Sequence, residues 1–107
     1  MALKAIFHLD TTERWSHLAS NLTNFLTAEP DADLEVLVNG DGITVYFDQE
    51  VVDFIAAHPQ VKFFACHNSL AQRHLDEKQL PATVAIVPVG VIKLAQAETA
   101  GYAYIKP

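Results

Sequence analysis

The sequence predicts an α/β domain built on a mainly parallel sheet. Short apolar runs of strand length alternate with segments whose apolar residues recur at helical spacing. Turn and stop residues (Asp10, Pro30, the Asn39–Gly42 turn, Pro59, Gly101) separate them. Several strand runs are apolar at nearly every position, the pattern of strands covered by helices on both faces.

The first strand is "LKAIFHL", Leu3 to Leu9. In the following "DTTE", Asp10 and Glu13 have the spacing of a capping box, with Asp10 in the Ser/Thr role. Trp15, Leu18, Ala19, Leu22, Phe25 and Leu26 then mark one helix face, with Trp15 expected in the core, and the helix stops before Pro30. "LEVLVNG" is the second strand, closing in "NGDG"; Phe47, Val51, Phe54 and Ile55 mark a second helix that ends before Pro59. "VKFFAC" is the third strand and "NSLAQRHL" a short helix with Asn68 or Ser69 as its cap. "TVAIVPVG" supplies the fourth strand, "GVIKLAQAETAG" a helix terminated by Gly101, and "YAYIKP" a short last strand. Five strands and four helices point to a three-layer α/β/α, flavodoxin-like architecture with strand order 2-1-3-4-5.

Length and composition bound the function. A chain of 107 residues, half of them hydrophobic and 19% charged, reads as one globular domain over residues 1–107. The net charge of −6, with seven scattered Lys and Arg residues, argues against nucleic acid as a partner. The N-terminal apolar run is too short for a membrane span and lacks the basic flank of a signal peptide, so a cytoplasmic location is expected. A single cysteine rules out an internal disulfide and fits a reducing compartment.

In open parallel sheets, sites form beyond the C-terminal ends of strands where the strand order reverses. For order 2-1-3-4-5 that point lies between strands one and three. It would gather His8 and Asp10 from one strand end with Cys66, His67 and Asn68 from the other, bordered by Asn39 and Gly40 and by the Pro88–Gly90 turn. A thiol just before a helix N-terminus is shifted toward the thiolate, the nucleophilic form, and an adjoining imidazolium would add to the shift. Free cysteine is equally a common small core residue, so Cys66 has two readings at this level.

Other chemistries find little support. The five histidines (His8, His17, His58, His67, His74) make no metal-ligand spacing, and His17 and His58 read as solvated. "NGDG" lacks the spacing of a dinucleotide or phosphate loop and reads as a turn. No Gly-x-Ser-x-Gly elbow occurs in the sequence. No metal or cofactor is called for.

The ordered pieces "FACHNSL" and "LPATVAIVPVGVIKLAQAETAGYAYIKP" resemble the small DsrE/DsrF-like proteins, the DsrE family. "VPVGV" and the terminal "GYAYIKP" are the most distinctive, and "VLVNGDGI" is similar to the family's turn after strand two. The resemblance implies the flavodoxin-like three-layer fold and assembly into a homo-oligomer, a trimer or hexamer. It also implies kinship with sulfur-relay proteins that hold sulfur as a persulfide. Cys66 stands in the place of the characteristic cysteine, with a protein sulfur donor and acceptor as partners. Assistance by His67 follows from its adjacency alone. Tyr46, Tyr102 and Tyr104 are candidate exposed interface anchors. The rival reading is a non-catalytic module that binds a small molecule or nucleotide in the same crevice, with Cys66 only packing.

Overall fold

The computed structural model describes residues 2–107. Its strands are β1 (Lys4–Leu9), β2 (Asp33–Val38), β3 (Lys62–Cys66), β4 (Ala85–Val87) and β5 (Ala103–Ile105). Its α-helices are α1 (Trp15–Ala28), α2 (Gln49–Ala57), α3 (His67–Gln72) and α4 (Gly90–Thr99). A 3₁₀ stretch, Gly40–Phe47, fills the space between β2 and α2. No helix among the described residues is long and apolar enough to cross a membrane.

All four strand pairings are parallel, and the sheet order is β4-β3-β2-β1-β5. The expected order 2-1-3-4-5 is therefore incorrect. Strands β1 to β4 step outward in one direction, and only β5 returns to the far side of β1. The right-handed crossover rule explains the layering. Three connections running one way put α1, α2 and α3 on one face, and the single return step puts α4 alone on the other.

Side-chain alternation along the strands matches that division. Phe7, Leu9, Val36, Val38, Phe63 and Ala65 face the larger core, with Trp15, Leu18, Leu22 and Ile55 from the helices. Ile6 and Leu37 face α4, whose Leu94 and Ala97 complete a second, smaller core with Phe64, Val87 and Tyr102 around it. One ten-residue helix cannot cover a five-stranded face. Strand β4 lies at the sheet edge and Ile86 is exposed there, so its nearly continuous apolar run does not reflect burial on both faces.

Local expectations fare unevenly. Gly101 ends α4 with φ +96°, and Tyr102 N–H closes on Ala97 O at 2.9 Å, as a left-handed terminator should. The Asp10 capping box does not form: a 3₁₀ turn at Thr12–Arg14 precedes α1, and Asp10 pairs instead with Lys106 beyond β5. Tyr46 is fully buried and donates its hydroxyl to Phe64 O at 2.8 Å, so it is no surface anchor. His58 is half-buried and stacks on Phe54 rather than standing in solvent.

Helix α4 is held to the sheet by one buried charge pair. Glu35 on β2 is 5% exposed, and its Oε1 lies 3.1 Å from Lys93 Nζ while making no other bond among the described residues. The Lys93 ammonium also sits 4.2 Å from the centre of the Phe64 ring. Removing one partner of such a pair strands the other charge in the interior. Lys93→Met is expected to lower stability by about 3 kcal/mol, and adding Glu35→Leu to recover most of that loss. Urea unfolding of the three chains checks both statements.

Candidate functional site

The corrected strand order changes which residues meet. β1 and β3 are separated by β2, so the crevice expected between them does not exist. The carboxyl edge on the α4 side instead runs in a row from β5 across β1 and β2 to β3 and the start of α4.

Cys66 is the last residue of β3 and the N-terminal cap of α3. It alternates with Ala65 and so faces the α4 side, level with Val87 on β4. The thiol is 5% exposed in the single chain. Its Sγ accepts the backbone N–H of Gly90, the first residue of α4, at 3.3 Å. Two helix starts therefore converge on one sulfur.

Gly90 makes that approach possible. A β-carbon at this position would lie 3.1 Å from Leu37 Cδ1, 3.2 Å from Cys66 Cβ and 3.3 Å from Asn39 Cβ. All three contacts are tighter than a side chain accepts without displacing its neighbours.

Burial pushes the Cys66 thiol up, but hydrogen bonding outweighs it and holds the thiol below its ordinary range. The donors are the Ser69 hydroxyl and the N–H groups of Ser69, Gly90 and Asn68. Only the Gly90 N–H meets strict hydrogen-bond geometry; those of Asn68 and Ser69 face the sulfur without closing a cap bond. The Ser69 oxygen accepts Gly40 N–H at 2.9 Å, which leaves its own proton free for the sulfur. In the sequence Ser69 stands out only as a candidate helix cap. The available signal was its place at the third helical position after a cysteine cap, where first-turn groups meet the capping side chain.

His67 is exposed, and its Nδ1 is engaged by Glu77. It is not among the groups that act on the thiol. Asn68 contributes its backbone rather than its side chain. Asp10 is drawn toward β5: the hydrogen bond from Lys106 holds its carboxyl below the usual range against a smaller upward push from burial. Gly42 N–H donates to Asp10 O at 3.0 Å, joining the turn after β2 to the end of β1.

His8, Asn39 and a residue not singled out as a site, Tyr104, form a connected chain. His8 Nε2 lies 2.8 Å from Asn39 Oδ1, and His8 Nδ1 lies 2.6 Å from the Tyr104 hydroxyl. The amide oxygen can only accept, so Nε2 carries a proton. In the neutral ring Nδ1 then accepts from Tyr104. Asn39 also adjoins Gly90: its β-carbon and that of Cys66 both lie within 3.3 Å of where a β-carbon on Gly90 would stand.

An apolar groove on the outer side of α4 adjoins this edge, lined by Val87, Pro88, Val89, Ile92, Lys93 and Gln96. Val91 and Ile92 are 58% and 54% exposed. Beside a buried thiol, such exposure of branched apolar side chains marks a surface that prefers to be covered.

With this geometry in view, residues 4–107 match the sequence pattern of the DsrE/DsrF-like family. The fold is similar to that of MTH1491 from Methanobacterium thermoautotrophicum, a protein described as of unknown function. The TM-score is 0.90 and the identity 29%, over 98% of this chain and 99% of that one. It is also similar to the YchN protein of E. coli, with a TM-score of 0.77 and 14% identity, covering 98% of this chain and all of the other. At that identity the second likeness concerns the fold alone. No curated protein matches the sequence.

If hydrogen bonds hold the thiol low, removing the Ser69 hydroxyl must raise it. Titrating the thiolate by its ultraviolet absorbance in folded protein should show a midpoint below that of an ordinary thiol. In Ser69→Ala the midpoint should move upward. An unchanged midpoint removes Ser69 from the site.

Proposed function

The chain belongs to the DsrE/DsrF-like family, and from that premise we propose that it is a sulfur carrier holding sulfur as a persulfide on Cys66. The observation that carries this reading is the thiol itself. It is the chain's only sulfhydryl, set at the end of β3 against the first residue of α4, hydrogen-bonded by Gly90 and shifted toward the thiolate. A thiolate attacks the outer sulfur of a donor persulfide R–S–SH. The donor S–S bond breaks, RS⁻ departs, and Cys66 retains the sulfur as Cys–S–SH. A downstream thiolate removes it by the same exchange and regenerates the Cys66 thiolate. No net oxidation occurs, no cofactor is needed, and one cysteine suffices. A dithiol oxidoreductase would need a second.

Protein partners supply and take the sulfur in this reading, and the chain works as a homo-oligomer. The exposed Val91 and Ile92 on α4, with Val89 just before the helix, support a second copy as the cover of that face. The family resemblance supports a trimer or hexamer. Light scattering should give a multiple of the 11.8 kDa chain mass, and a monomer at micromolar concentration removes this part of the reading.

The near-complete burial of Cys66 favours a second reading, in which the thiol only packs and the carboxyl edge binds a small molecule or nucleotide. Intact mass after incubation with a persulfide-generating donor decides between them. A reducible gain of one sulfur atom in the native protein, absent from Cys66→Ser, is expected. No gain, together with a thiol that resists iodoacetamide until denatured, assigns Cys66 to the core.

A further inference from the structure

We infer that Asn39, oriented by His8 and Tyr104, is the side chain that binds the outer sulfur of the Cys66 persulfide. The inference rests on the persulfide reading above and assigns that site a residue.

A persulfide extends the side chain by about 2 Å beyond Sγ. The Gly90 N–H already serves Sγ, so the outer sulfur needs a donor of its own. Asn39 stands in the right place. Val38 pairs with Ala65, so the next step of that parallel register sets Asn39 beside Cys66. Both β-carbons also crowd the same α-carbon at Gly90, at 3.3 and 3.2 Å from where its β-carbon would lie. The two side chains are thus neighbours at the carboxyl edge.

The hydrogen bonds of Asn39 then decide which end of its amide is free. His8 Nε2–H occupies Oδ1, and the amide NH₂ has no partner among the described residues. That group can only donate. A freely turning amide would offer its oxygen to the sulfur as often as its nitrogen, and an oxygen would repel a terminal sulfur anion. His8 removes that choice. Tyr104 fits the same arrangement: its hydroxyl lies 2.6 Å from Nδ1 and donates to it when the neutral ring carries its proton on Nε2. The three residues come from β1, the end of β2 and β5, with sequence separations of 31 and 96 along the chain of bonds. Asn39 is the binding group; His8 and Tyr104 are positioning residues that act through it.

The test is sulfur retention. Native protein and variants are loaded with a persulfide-generating donor, freed of excess, and exposed to cyanide. Cyanide takes the outer sulfur as thiocyanate and leaves the Cys66 thiolate. Asn39→Leu, close in volume but without donors, should lose sulfur about tenfold faster than the native chain. Asn39→Ala serves as a second variant should the leucine disturb folding. His8→Leu should approach the same rate, whereas His8→Gln, which keeps an N–H for Asn39 Oδ1, should stay within about twofold of native. That rescue separates positioning from simple packing. If Asn39→Leu and Asn39→Ala load and release like the native chain, this inference is overturned and the carrier reading stands. If the native chain takes up no sulfur, both are overturned.

Discussion

Helix α4 can start against the sheet only because residue 90 has no side chain. Its α-carbon sits among Leu37, Asn39 and Cys66, and the vacant β position would fall within 3.3 Å of all three. That single close approach brings a backbone N–H to the sulfur and seats α4 on Ile6 and Leu37. It also carries Lys93 down onto Glu35. The smaller core, the charge pair and the environment of the thiol therefore share one steric condition. The larger core on the α1 and α2 face has a close approach of its own, where a β-carbon on Gly42 would lie 3.0 Å from backbone atoms of Leu9, Asp10 and Thr11.

A nearly buried sulfur tuned downward without a cationic neighbour is informative about chemistry. Desolvation alone would favour the neutral thiol, and an ion pair would be the strongest counterweight. Here neutral donors supply it: a hydroxyl and backbone N–H groups at two helix starts. Such donors stabilise an anion without carrying a proton that titrates near neutrality. They act equally on a thiolate or on the anion of a persulfide. The carboxyl edge is thus equipped to hold a soft anion in place, and the uncovered apolar side of α4 lies directly beside it.

Much of the fold could be read along the chain because its causes are local. The apolar runs located all five strands, Pro30 and Pro59 bounded two helices, and Gly101 ended the last one as its backbone angle requires. Readings failed where a distant partner competed. Asp10 has the spacing of a cap, but Lys106 reaches it from the far end of the chain. Tyr46 looks amphipathic in sequence, yet Phe64 O offers its hydroxyl a partner in the interior. Ser69 and Tyr104 acquire their roles only through Gly40 and His8, which no local pattern connects to them.

By itself the sequence determined the α/β class, the parallel sheet, the helix at each crossover and the family with its one cysteine. Hydrophobic period, turn chemistry and residue identity are properties of neighbouring positions, and they survive in one dimension. Only the tertiary structure decided the strand order, and with it the company that Cys66 keeps. Orders 2-1-3-4-5 and 4-3-2-1-5 use the same elements and the same handedness of crossover, so local patterns do not distinguish them. The difference lies in where each strand finds its complementary edge and where α4 finds room beside Gly90. That competition among long-range contacts is settled when the chain packs.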